Sequence, residues 1–214
     1  MKERGLAGRI ARRASRAGVE VDAPLANGLA VYLELLFRWN RRVNLTGLGE
    51  DDRGLDRLVV EPLVAAQQMP PGARSVVDIG SGGGSPAVPL KLAVPGLGLT
   101  MVEASSRKAA FLREVVRRLG LKDVVVETCR YEELSRRREL FEAADVVTVR
   151  AVKVDERALE AFQALLRVGG ALLLFGRAEE NGVPVNVGAP LRWQGSYPLV
   201  ESLKSRLVVL EKTL

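Results

Sequence analysis

Histidine is absent from all 214 residues, and cysteine occurs once, at Cys129. Without imidazole there is no Ser-His or Cys-His nucleophile pair, and the commonest general base and metal ligand is missing. One thiol forms neither an internal disulfide nor a zinc cluster, so no metal is expected and a zinc enzyme is excluded. Aromatic residues make up 5% of the chain, so a partner should be held more by charge and shape than by stacking. No stretch approaches the roughly 18 consecutive apolar residues of a membrane span, and no membrane association is expected. The Arg-rich start lacks the central apolar block of a secretory signal. Cytosol is the default location, although Arg4 to Arg16 shares the Arg- and Ser-rich composition of a mitochondrial presequence.

What is present is enough apolar residue, 47%, for one full core with a small appended piece. The formal charge of +6 favours a polyanionic partner. Lys2, Arg4, Arg9, Arg12, Arg13 and Arg16 face one nearby acid, Glu3, and Arg136-Arg137-Arg138 forms a second cluster. Solvated helix faces that keep a protein soluble give the same pattern.

Residues 1–70 read as a helical prelude. A basic first helix places Leu6 and Ile10 one turn apart, and a second starts near Asp22 and Pro24 with Leu25, Leu29, Tyr32, Leu36 and Trp39 at helical spacing. A third covers Leu55 to Gln68, before Pro70-Pro71-Gly72. From 71 to 214, strands expected at 75–79, 98–102, 123–127, 145–149 and 171–175 alternate with helices, which argues for a parallel sheet covered on both faces. Helices are expected from Ser106 to Leu119, stopped by Gly120, and from Asp155 to Val168, stopped by Gly169-Gly170. Asn181 to Pro190 reads as a loop, with two late strands near 191–197 and 206–211.

The densest signal is the strand Ser75-Val76-Val77-Asp78-Ile79 running into Gly80-Ser81-Gly82-Gly83-Gly84, with Glu103 closing the next apolar run. Glycines let backbone approach a ligand, a helix starting behind them offers free N–H groups, and Glu103 stands where a carboxylate accepts from ribose hydroxyls. A dinucleotide fingerprint would need its third glycine at position 85, where Ser85 stands. The pattern of an Asp before G-x-G-x-G instead resembles the first motif of class I methyltransferases, which bind S-adenosylmethionine. A glycine-rich turn without a ligand is the bland alternative.

Longer segments sharpen the resemblance. Trp39-Asn40-Arg41-Arg42-Val43-Asn44-Leu45-Thr46 matches a W-N-x-x-x-N-L-T run, and Asp78 to Leu90 is similar to an extended glycine motif with later prolines. Arg130-Tyr131-Glu132-Glu133, Val146-Val147-Thr148-Val149-Arg150-Ala151 and the tail Tyr197 to Lys212 are also familiar. With these, the chain resembles the RsmG/GidB family, bacterial methyltransferases of small-subunit (16S) ribosomal RNA that modify N7 of a guanine. The resemblance implies an α/β fold of the class I S-adenosylmethionine-dependent type, a Rossmann-like seven-stranded sheet with an N-terminal helical extension. It implies S-adenosylmethionine as cofactor and ribosomal RNA or the small subunit as partner. Asp78, Gly80, Gly82, Gly84, Ser85, Tyr131, Glu132 and Arg150 become cofactor-site candidates beside Glu103. Arg57, Arg150 and Trp39 become candidates for positioning RNA, and no catalytic residue is singled out.

Departures from the family pattern are also plain. Arg57-Leu58-Val59-Val60-Glu61-Pro62 stands for R-H-x-x-D-S, Phe175-Gly176-Arg177 for a Lys-Gly strand end, and Ser85 for a larger apolar residue. They leave open a divergent homologue with another nucleic-acid target, or a cofactor-binding ribosome assembly factor without turnover. A methyltransferase of small molecules or proteins would not need the basic start.

Overall fold

Alternation along each strand decides the layers. In β1 (Ser75–Ile79), Val76 joins one apolar cluster while Val77 and Ile79 join the other, as a period of two requires. The same division separates Val146 from Val147 in β4 (Ala144–Arg150). The computed structural model describes residues 5–134, 136–177 and 188–214. With β2 (Gly98–Val102), β3 (Val124–Glu127), β5 (Leu166–Arg177), β6 (Leu191–Pro198) and β7 (Ser205–Lys212), it forms a seven-stranded sheet in the order β3-β2-β1-β4-β5-β7-β6. The first five strands are mutually parallel, and β7 is antiparallel to both neighbours. Strand order reverses between β1 and β4, so a crevice opens at their carboxyl ends.

Among the described residues, five main helices follow the expected signals. Asp22 caps α2 (Ala23–Val43) by accepting from the Leu25 amide at 2.8 Å, and α2 packs on α1 (Leu6–Arg16). Ser105 caps α6 (Ser106–Leu119), which ends at left-handed Gly120. Asp155 caps α8 (Glu156–Leu165), and α5 (Ala87–Ala93) follows the glycine loop. A short α7 covers Tyr131–Leu134.

The third helix of the prelude begins at Asp52, earlier than Leu55. It runs as α3 (Asp52–Leu55), a π turn (Asp56–Val60) and α4 (Glu61–Ala66). Pro62 explains the π turn: it brings no N–H to the carbonyl four residues back, and its ring crowds that carbonyl.

The helix expected to reach Val168 stops at Leu165, and β5 starts at once. Gly169-Gly170 is therefore not a helix stop. Leu166 pairs with Ala144, the register slips between Ala144 and Val146, and Gly169 at φ +76° takes the left-handed conformation within that bulge. A side chain on Gly170 would meet the Arg167 carbonyl at 2.9 Å. The expected loop over 181–190 lies mostly outside the described residues.

The prelude shares a core with the sheet. Ile10, Leu29, Tyr32, Leu36, Leu55 and Leu63 are buried in the same cluster as Val76, Met101 and Val146. Asn40 shows why its motif matters: its carbonyl oxygen accepts from the Leu45 and Thr46 amides, and its amide nitrogen donates to the Thr46 carbonyl. That turn presses Leu45 onto the glycine loop, where a side chain on Gly83 would lie 3.3 Å from the Leu45 carbonyl.

Candidate active site

The glycine loop leaves β1 in a conformation that ordinary side chains resist. Gly80, Gly82 and Gly84 have φ of +71°, +50° and +83°. They differ in what surrounds them. A Cβ on Gly80 would lie 2.6 Å from Val152 Cγ2, and one on Gly84 would touch Val88, Leu112 and Tyr32, whereas one on Gly82 meets nothing nearer than the Gly80 carbonyl at 3.6 Å. Gly82 thus presents bare backbone to open space.

Glu103, just past β2, accepts from the Gly82 amide through Oε2 at 2.9 Å and from the Ser105 amide through Oε1 at 2.8 Å. It ties the loop to the neighbouring strand, and each oxygen keeps a further lone pair. The Gly80 and Ser81 amides both reach the Val102 carbonyl. The free helix-terminal amides expected behind the loop are few. Pro86 and Pro89 bring none, and the Val88 amide is taken by the Gly84 carbonyl.

Asp78 is buried beneath the loop. Register sets it beside Thr148, whose hydroxyl donates to Oδ1 at 2.5 Å, while Oδ2 is buried without a donor. Burial pushes this carboxyl up to about 6 against the pull of Ser81, Thr148 and Arg150. An open glycine face, an acid at the end of β2 and an orphaned carboxylate oxygen fit a nucleoside whose other end is cationic.

On the prelude side, Glu61 is fully buried and gathers two arginines. Arg57 Nη1 lies 2.8 Å from Oε1, and Arg150 Nη2 lies 3.3 Å from Oε2. Arg150 Nη1 also donates to Ser85 Oγ at 3.0 Å, and Ser85 donates to the Leu58 carbonyl at 2.7 Å. Burial lowers the Arg150 guanidinium from its ordinary value while Glu61 opposes that shift. Arg57 remains partly exposed, at 21% of its side chain, and Arg150 is at 10%.

The remaining candidates stand apart from this network. Tyr131 tilts against Phe162 with ring centroids 5.2 Å apart, in the cluster that includes Val152. Glu132 is exposed on the same short helix. Trp39 is half-buried and tilts against Phe111 at 5.8 Å. Three residues that sequence reading did not assign to the site belong to it: Tyr32, whose hydroxyl donates to the Gly83 carbonyl, Glu61 and Thr148. Thr148 had a signal, since a strand beside β1 must set one residue opposite Asp78, and so did Glu61, which stands at the acid of the R-H-x-x-D-S pattern four residues after Arg57. Tyr32 had none.

Among the described residues, no group of His, Cys, Asp and Glu is arranged to hold a metal, and no helix is long and apolar enough to cross a membrane.

Comparison with solved structures places the fold. An O-methyltransferase from Bacillus cereus in complex with SAH superimposes with a TM-score of 0.62 at 18% identity, covering 95% of this chain and 97% of that one. The fold is that of class I S-adenosylmethionine-dependent methyltransferases. A family model described as GidB, rRNA small subunit methyltransferase G, matches residues 26–183. Ribosomal RNA small subunit methyltransferase G of Chloroflexus aggregans is 42% identical over 142 residues, 66% of this chain and 60% of that protein. Its namesake in Stenotrophomonas maltophilia K279a is 36% identical over 182 residues, 85% of this chain and 74% of that one. From prelude to sheet, the chain belongs to the rRNA small subunit methyltransferase G (GidB) family.

Proposed function

We propose that this protein transfers a methyl group from S-adenosylmethionine to N7 of a guanine in small-subunit (16S) ribosomal RNA, in the cytosol. The observation that carries the reading is the loop Gly80–Gly84, held open at Gly82 by Glu103 at the carboxyl edge of a family-matching sheet. When bound, the cofactor supplies an electrophilic methyl on a sulfonium, which the N7 lone pair can take by in-line displacement. N7 carries no proton to remove, so a chain without histidine needs no general base there. The protein's part is orientation, which can supply roughly 7–11 kcal/mol.

Residues divide by task. Glu103 would hold the ribose, the glycine backbone would pass beside the amino-acid portion, and Asp78 would face positive charge. Tyr131 and Glu132 would border the adenine, as the family resemblance implies. Arg57, the partly exposed arm of the Glu61 pair, is the better placed of the two arginines to meet RNA, with Arg150 bracing it from behind. Trp39, already packed on Phe111, is the weaker candidate for stacking.

The test is incubation with methyl-labelled S-adenosylmethionine and small-subunit RNA or particles, followed by mass mapping. Label at N7 of one guanine is expected. Label elsewhere, or cofactor binding without transfer, would overturn the substrate assignment.

A further inference from the structure

Pro62 and Ser85, distant in sequence, answer one another across the pocket wall. Pro62 leaves the Leu58 carbonyl without its i+4 amide, and the helix yields with a π turn in which the Glu61 amide reaches back to Asp56. Leu58 is buried, where a carbonyl lacking a donor is costly. Ser85 Oγ fills that need at 2.7 Å.

A hydroxyl has one proton. With it committed to Leu58, the oxygen turns its lone pairs to Arg150, whose Nη1 donates at 3.0 Å. Arg150 ends β4, whose Val149 pairs with Ile79, so it stands beside the strand end from which the glycine loop departs. Its other arm meets Glu61, the residue before Pro62. The circuit Leu58, Ser85, Arg150, Glu61 closes around one proline.

We propose that Ser85 is a positioning residue: its hydroxyl replaces the amide that Pro62 lacks and thereby sets Arg150 beside the glycine loop in the geometry that binds cofactor. The inference rests on the cofactor site proposed above. It makes positions 62 and 85 energetically coupled, since an ordinary residue at 62 would supply the N–H itself.

The test is a double-mutant cycle of Ser85→Ala and Pro62→Ala in the full chain. Binding of S-adenosylhomocysteine by calorimetry, cofactor KM and kcat, and Tm are read for all four proteins. With Pro62 present, Ser85→Ala is expected to weaken binding roughly tenfold and raise cofactor KM, with kcat at saturation within about threefold. In the Pro62→Ala background, the same change should cost about threefold or less. Should Ser85→Ala fold too poorly for calorimetry, a Tm loss on Ser85→Ala that is smaller in the Pro62→Ala background than with Pro62 present reads the same coupling. Equal losses in both backgrounds would overturn the proposal and leave the cofactor site standing. Failure of the unaltered protein to bind would overturn the site, and the inference with it.

Discussion

The hydroxyl of Tyr32 donates a 2.7 Å hydrogen bond to the carbonyl of Gly83. Tyr32 belongs to α2 and is fully buried, so a helix of the prelude grips the middle of the glycine loop. Burial raises the phenol well above its ordinary value and keeps it a donor at any workable pH. Tyr32→Phe leaves the carbonyl without that donor, and a stability loss of about 1–3 kcal/mol is expected. Affinity for S-adenosylhomocysteine should fall roughly three- to tenfold by calorimetry. Unchanged affinity with a lowered Tm would show that the hydroxyl supports the fold alone.

Glu61→Gln tests the buried carboxylate between two arginines. Removing one charge from a buried cluster leaves the others uncompensated, which costs about 3–5 kcal/mol. Arg150, at 10% exposure, has little access to water in exchange. Urea unfolding should show a loss in that range, and a change below about 1 kcal/mol would mean the pair is already well solvated.

Asp78 should cost the ligand-free protein stability at neutral pH. Its folded value of about 6 lies above the ordinary 3.8, so the folded state holds the proton more tightly. The penalty is absent below about 3.8, grows as pH rises to about 6, and is complete above that. The displacement corresponds to about 3 kcal/mol. Asp78→Asn should therefore be the more stable protein at pH 8, by up to that amount, and lose its advantage near pH 4. Denaturant unfolding across pH 4–8 decides it. A constant difference over the range would place the burial penalty elsewhere.

Gly82 and Gly80 should fail in different ways. Gly82→Val introduces a side chain at φ +50° into open space, a strain of about 1–2 kcal/mol. A Tm loss of about 2–8 °C is expected together with loss of measurable cofactor binding, because the new side chain fills the ligand face. Gly80→Ala meets Val152 instead and should mainly lower Tm. Cofactor binding by Gly82→Val at the unaltered affinity would move the ligand off the loop.

Period-two and helical patterns made the strands of the sheet and the helices of the prelude legible, because burial of one face imposes them wherever the chain runs, whereas the strand order had no such signal. Gly80, Gly82 and Gly84 were legible as a tight loop for a different reason: few other residues take those backbone angles. The misreading at Gly169-Gly170 arose because a left-handed glycine ends a helix and makes a strand bulge equally well. Tyr32 read as core, which it is, since nothing local reveals that its hydroxyl meets a loop 51 positions away. Ser85 and Pro62 each read as separate departures from a motif. Their relationship depends on a helix defect that only three-dimensional contact exposes.

The arginines of α1 sort by partner. Arg13 pairs with Asp56, which is 3% exposed, and is held within the protein, whereas Arg9 meets Asp52 at 3.0 Å in an exposed ion pair on the surface. Arg16 is exposed at the end of the helix. Deleting the first 16 residues would confuse these roles, because Ile10 and Ala14 are fully buried in the core. Arg16→Gln should leave Tm nearly unchanged and weaken RNA binding uniformly across sequences. Its log-log salt dependence should flatten by about one phosphate contact, a slope change of about 0.7–0.9. Arg13→Gln should instead destabilise the fold by leaving buried Asp56 unpaired. Filter binding over a salt series, with Tm measured alongside, separates the two. An unchanged slope for Arg16→Gln would remove the end of α1 from the RNA surface and leave Arg57, the partly exposed partner of Glu61, as the cation beside the pocket with which to test it.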